Sequence, residues 1–173
     1  FKESNIDSNV LLKNVRSEVE RLNSLHIDLL KKSGVELIKG WASFVDSHRI
    51  LIQGIDGKNN VVFGERILIA VGGEANRPDI PGAELGWVSD DIFLLEDFPS
   101  DITIIGAGYI ACEFACILNN LGVKVRVLIR GERILRGFDN DLSIALQKEM
   151  FDSGIELVFG SHPVSIKSNI DRL

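Results

Sequence analysis

The sequence predicts an α/β chain in two incomplete parts: a long helix with an antiparallel meander, then a parallel βαβαβ unit. Three observations carry this. Apolar residues recur every three or four positions between Asp7 and Ser33. After Gly34 the apolar runs become short and are punctuated by Gly, Asp and Asn. From Ile102 onward apolar runs alternate with helical patterns, which crossover rules turn into a parallel sheet.

Taken in order, Leu11, Val15, Val19, Leu22, Leu25 and Leu29 lie on one face of a 3.6-residue period. Asp7 or Ser8 suits the start of this helix and Gly34 its end. Val35–Ile38, Ala42–Val45, Ile50–Ile52 and Val61–Phe63 read as meander strands. Arg66–Val71 reads as a buried strand closed by Gly72-Gly73. Residues 74–101 hold Pro78, Pro81 and Pro99 and little periodicity, so they read as a linker between residues 1–73 and 102–173. Then follow a strand (Ile102–Ile105), a turn (Gly106–Gly108), a helix (Tyr109–Leu121) and a strand (Lys124–Ile129). A second helix (Asp139–Ser153) and a third strand (Ile155–Phe159) complete the pattern.

Composition narrows the function. The chain has 173 residues, 45% of them hydrophobic, which suffices for a packed core. A net charge of −6 argues against a general nucleic-acid or membrane-surface partner. The longest apolar run, Ile102 to Cys112, is far short of the about 20 residues a bilayer span needs. Two cysteines point to a reducing, cytoplasmic setting. Phe1 with its polar sequel resembles neither a signal peptide nor a natural start, so the chain reads as part of something longer.

The chemistry concentrates at Gly106-Ala-Gly108-Tyr-Ile-Ala111, a G-x-G-x-x-A run directly after an apolar strand and before a helix. Gly106 allows a tight turn, Gly108 lets a pyrophosphate approach the backbone, and Ala111 lets the helix pack close. The helix start then offers free N–H groups and the positive end of its dipole to the phosphates. A glycine-rich turn with no ligand is the plainer alternative.

The second strand selects the nucleotide. An NAD site carries Asp or Glu at its end, to hold the ribose 2′-OH. This strand ends in Arg130, with Arg133 and Arg136 following. Guanidinium groups grip a 2′-phosphate where a carboxylate repels it. Arg130 and Arg136 are the candidates. Arg126 lies inside the strand, and Glu132 is a rival partner for any of these arginines. Cys112 and Cys116 stand one helical turn apart, where a regular helix does not allow a disulfide, and read as small buried residues. The three histidines are scattered, so spacing alone gives a binding fold and no catalytic group.

Ile104-Ile-Gly-Ala-Gly-Tyr-Ile-Ala-Cys-Glu-Phe-Ala115 resembles the pyridine nucleotide–disulfide oxidoreductases, and within them the bacterial glutathione reductases. Ile67–Gly73, Pro78–Gly82, Ser89–Phe93 and Ile129–Asp139 extend the likeness along nearly the whole chain. The resemblance implies the second half of an FAD-binding domain up to about Gly73, then a Rossmann-like NADPH-binding domain. It implies that Ala42 touches FAD, and that the protein backbone around Ala107 and Ile110, beside Gly106 and Gly108 of the glycine turn, meets the NADPH. It places Tyr109 over the nicotinamide pocket, Glu113 near the nicotinamide, and Arg130 and Arg136 on the 2′-phosphate. FAD and NADP are the implied cofactors, a small-molecule disulfide such as glutathione disulfide the implied substrate, and a homodimer the implied assembly.

The departures matter equally. The family's redox-active C-x4-C pair and its catalytic His-Glu pair have no counterpart here, so no catalytic residue is expected in this chain. His26 stands where glutathione reductases tend to carry tyrosine, and Val71 replaces a common threonine. Lipoamide dehydrogenases carry an acidic residue at the Arg130 position, and trypanothione reductases an insertion near Asn119–Lys124. A reductase of another disulfide or of a metal ion, and a noncatalytic dinucleotide-binding module, are the alternatives.

Overall fold

The computed structural model describes residues 7–168. It is α/β, and its described part falls into two compact units. One comprises the chain up to Arg16 together with Ala75 onward; the other comprises Ser17–Glu74.

Helix α1 (Ser8–Lys32) starts as its sequence dictates. The Asp7 carboxylate accepts the Val10 N–H at 3.0 Å, the N-cap geometry for a short acidic side chain. At its end Gly34, at φ 74°, closes the helix: its N–H bonds the Lys31 carbonyl, and the Val35 N–H bonds Leu30. None of the apolar face expected here is buried: Leu11 and Val15 are half-buried, and Val19, Leu22, Leu25 and Leu29 are exposed, while the buried residue of the helix, Leu12, lies outside that set.

The Ser17–Glu74 unit continues into a meander of β1 (Gly40–Phe44), β2 (Arg49–Gly54) and β3 (Asn59–Phe63). The strands pair antiparallel in that order, with Ala42 opposite Ile52 and Ile50 opposite Val62. Two expected strands are absent. Val35–Ile38 and Arg66–Val71 have no regular structure. Leu68 is 88% exposed and Val71 89%, so the second segment is not buried either. A strand exists only with a partner edge, and no described strand pairs with these residues.

In the other unit, the proline-containing segment is shaped by side chains rather than by periodicity. Short 3-10 helices form at Ala83–Leu85 and Ser89–Leu94. The Arg77 guanidinium donates to the carbonyls of Ala83 and Gly86 and approaches the Asp91 carboxylate. Asp91 in turn accepts the Val88 N–H at 2.8 Å. Arg16 donates to the Leu95 carbonyl at 2.8 Å.

Strands β4 (Asp101–Ile105), β5 (Lys124–Leu128) and β6 (Glu156–Val158) form a parallel sheet in the order β4-β5-β6. Helices α2 (Tyr109–Asn120) and α3 (Asn140–Asp152) make the crossovers. These five elements lie within two residues of the ends their sequence patterns suggest. Val125 and Val127 of β5 are buried while Lys124 and Arg126 are exposed. They pack with Cys112, Ala115 and Leu118 of α2, Met150 of α3, and Ile129, Ile134 and Ile155 in one core. Burying such side chains supplies about 1.5–3 kcal/mol each, and this core fixes where α2 begins. Among the described residues no helix is long and apolar enough to cross a membrane.

Leu118, 1% exposed, is central to that core. Leu118→Ala is expected to cost about 2–5 kcal/mol, read as a lower denaturation midpoint. A change below about 0.5 kcal/mol would place the core elsewhere.

Candidate functional site

The site begins where β4 turns into α2. Gly106 sits at φ 137°, a conformation that side-chain-bearing residues rarely adopt. Its N–H bonds the Leu128 carbonyl at 3.1 Å, tying the turn to β5. A Cβ at Gly106 would lie 3.9 Å from the Ala111 Cβ, so strand and helix meet closely here.

Gly108 is different. It is the N-cap of α2 at φ −79° and ψ 175°, extended backbone open to any residue. A Cβ built on it meets no atom of the chain within 4 Å. Neither conformation nor internal packing therefore requires glycine at this position. What the missing side chain leaves is access to the backbone from outside. The first bond at the helix start runs from the Cys112 N–H to the Gly108 carbonyl at 3.1 Å. The N–H groups of Tyr109, Ile110 and Ala111 thus have no partner within the helix, as at any helix start. Gly108 supplies no side-chain cap. Bare N–H groups, the positive helix end and an open approach form a cradle that fits a pyrophosphate.

The candidate arginines lie on the loop between β5 and α3. Arg130 and Arg136 are exposed, and no described side chain forms an ion pair with either. The other cations nearby are engaged. Arg126 pairs with Glu156, its neighbour on β6, at 2.8 Å, and this hydrogen bond holds the Glu156 carboxyl below its ordinary pKa. Arg133 donates to the Asn140 side chain. Glu132, the rival partner, forms no ion pair among the described residues.

One backbone bond joins the loop to the glycine turn: the Leu135 N–H donates to the Ala107 carbonyl at 2.7 Å. Gly106, Ala107, Gly108, Tyr109, Ile110 and Glu113 on one side, and the loop of Arg130 and Arg136 on the other, are thereby linked. Tyr109 is 56% exposed and Glu113 is exposed. Ala42 lies on β1 in the Ser17–Glu74 unit, exposed and paired with Ile52.

Sequence reasoning missed the residues that hold this loop. Leu135 adopts φ 51°, and Ser143, fully buried, donates its hydroxyl to the Ile134 carbonyl at 2.7 Å. A left-handed leucine costs roughly 1–3 kcal/mol and persists only when its surroundings fix it. Ser143 left a faint signal: with Leu146 and Met150 it forms an inward stripe in which it is the polar member.

The chain matches the family described as "Pyridine nucleotide-disulphide oxidoreductase" over residues 2–173. It belongs to the pyridine nucleotide–disulfide oxidoreductases. Within this family it is 44% identical over 144 residues to a glutathione reductase of Nostoc sp., covering 83% of this chain and 30% of that protein. It is 38% identical over 165 residues to the chloroplastic/mitochondrial glutathione reductase of Pisum sativum, covering 95% of this chain and 29% of that protein. The mitochondrial thioredoxin reductase 2 of Drosophila melanogaster is 37% identical over 164 residues, 93% of this chain and 31% of that protein. The chain therefore spans about a third of the length of these relatives. The HOCl-induced flavoprotein disulfide reductase RclA of Escherichia coli superposes with a TM-score of 0.84 at 26% identity, covering 94% of this chain and 37% of that one.

The helical cysteines fit packing, not redox chemistry. Cys112 is buried, and that burial, with smaller contributions from Cys116 and Glu113, pushes its thiol up to about 11. Burial also raises Cys116. The thiolate is the reactive form, and a thiol held this far above its ordinary range stays protonated at pH 7. Alkylation of Cys112 is expected to be slow at pH 7 and to rise about tenfold per pH unit without a plateau below pH 10, as mass spectrometry of the alkylated peptide records. A plateau near neutral pH would mark an activated thiol.

Proposed function

We propose that the intact protein is an FAD-dependent, NADPH-using disulfide reductase acting on glutathione disulfide, with this chain supplying the NADPH phosphate sites. The observation that carries the reading is Gly108, a glycine that neither its conformation nor its neighbours explain, at the bare N–H end of α2. An external anion reaching that backbone explains it. NADPH and FAD, when bound, supply the redox chemistry: hydride donation by the first and electron relay through the second.

The chain's own residues bind and orient. The first-turn N–H groups of α2 receive the pyrophosphate. Arg130 and Arg136, free of other ion pairs among the described residues, take the 2′-phosphate. Tyr109, exposed on the same turn, covers the nicotinamide pocket and swings aside for the nucleotide, with Glu113 one turn further along the helix. Ala42 contacts FAD. The reading also places the intact protein in the cytoplasm as a homodimer.

Glutathione disulfide is favoured by the glutathione reductases of Nostoc and pea. A different disulfide substrate has support in the Drosophila thioredoxin reductase and in His26 at a position where glutathione reductases tend to carry tyrosine. RclA has been solved as a Cu(II) complex, which keeps a metal ion among the substrates to assay. NADPH oxidation by the intact protein with glutathione disulfide, thioredoxin and Cu(II) in parallel separates these, and the proposal requires glutathione disulfide to give the highest kcat/KM.

The cofactor choice has its own test. A hydrogen bond to a charged group contributes about 1.5–3 kcal/mol, so two arginines give roughly 3–6 kcal/mol before solvent screening. Arg130→Ala with Arg136→Ala is expected to raise the NADPH Kd about 100-fold or more and to leave the NADH Kd nearly unchanged. The NADPH loss shrinks as salt rises, because the wild-type contacts are screened. Equal weakening of both nucleotides would show that the arginines support the fold instead.

A further inference from the structure

The loop that carries the two arginines alternates exposed cations with buried anchors. Ile129 and Ile134 are fully buried and Leu135 is 5% exposed, while Arg130 and Arg136 face solvent. The loop's start is held to the end of β6: the Ile129 N–H bonds Val158 and the Ser161 N–H bonds Ile129. Its end is held by Asp139, whose carboxylate caps α3 through the N–H groups of Asp141 and Leu142. Between these fixed ends lies Leu135, the only non-glycine residue with positive φ among the described residues.

The Ile134 carbonyl and the Leu135 N–H belong to one peptide unit, and a peptide unit is planar. Both of its ends are bonded. The Ser143 hydroxyl donates to the carbonyl at 2.7 Å, and the N–H donates to the Ala107 carbonyl at 2.7 Å. A flip of this peptide would relieve the left-handed Leu135, but it would break both bonds at once. Ser143 is fully buried, so losing its hydroxyl would leave the Ile134 carbonyl without this partner. The plane so fixed determines the direction in which the backbone leaves Leu135, and the next residue is Arg136.

We propose that Ser143 is a positioning residue for nucleotide selectivity: its hydroxyl locks the Ile134–Leu135 peptide in the orientation that presents Arg136 to the 2′-phosphate beside the glycine turn. The inference rests on the reading that Arg130 and Arg136 bind that phosphate. It adds a specificity determinant on α3 that makes no contact with the nucleotide itself.

The test uses the full-length protein and equilibrium binding of NADPH, NADH and adenosine 2′,5′-bisphosphate. Losing one buried hydrogen bond should relax the loop, so Ser143→Ala is expected to raise the NADPH and bisphosphate Kd about five- to tenfold. The NADH Kd should stay within about twofold, since NADH has no 2′-phosphate to misplace. Ser143→Cys is close in volume and offers only a weak donor, so it keeps the packing and should show a smaller loss of the same sign. In an Arg136→Ala background, Ser143→Ala should add almost nothing, because the residue it positions is gone. An unchanged NADPH-to-NADH ratio in both serine variants overturns the proposal, as does an equal loss for both nucleotides or a full additive loss in the Arg136→Ala background. If the arginine double variant itself fails to discriminate the nucleotides, the reading of the phosphate site fails and this inference falls with it. If the arginines discriminate and the serine variants do not, only the role of Ser143 is wrong.

Discussion

Strand β4 becomes helix α2 within three residues, and the rest of the site depends on that reversal. Only a residue free to adopt φ 137° makes the turn, and only a small residue at Ala111 lets the helix return so close to the strand. The reversal aims the first turn of α2 across the ends of the parallel strands, where open α/β sheets bind their ligands. The core of Val125, Val127, Leu118 and Met150 holds the helix there. The bare N–H groups are a consequence of this arrangement, and so is the Ala107 carbonyl, which is left free to receive Leu135. The glycine turn thus serves twice: its N–H groups are left open for the proposed ligand, and its carbonyl ties down the neighbouring loop.

The two halves of the proposed nucleotide site differ in physical character. The pyrophosphate half consists of backbone, whose dipoles are fixed by the fold and do not depend on side-chain identity. The 2′-phosphate half consists of exposed arginines, long side chains whose charge is screened and whose entropy is high. In the role proposed for Ser143, precision in the second half comes from beneath, through buried Ile134, Leu135 and Ser143. Such an arrangement separates affinity for dinucleotides in general from choice between them.

Much of this was legible in the sequence because it follows local rules. The βαβαβ order, the helix limits and the glycine turn come from periodicity and from residues with one conformational use, such as Gly106 and Gly34. The arginine pair was legible as a local excess of positive charge in an acidic chain. What was not legible depends on partners. Arg66–Val71 has the composition of a buried strand, yet composition cannot supply an edge to pair with, and the segment is exposed here. The apolar face of α1 carries a regular period, yet none of its six residues is buried. Arg133 was indistinguishable from its neighbours until Asn140 was found beside it. Leu135 was hidden for another reason: leucine is a poor choice for the left-handed region, so nothing in its identity announces the conformation that the Ser143 and Ala107 bonds impose.

In the proposed site, Gly108 is glycine for the sake of a ligand and not for the fold. Gly108→Ala measures this directly, because the added methyl meets no atom of the chain. Stability is expected to change by less than about 0.5 kcal/mol in chemical denaturation. NADPH and NADH are both expected to bind at least about tenfold more weakly to the full-length protein, since they share the pyrophosphate. Unchanged binding of both nucleotides, or a large loss of stability with binding intact, would contradict this.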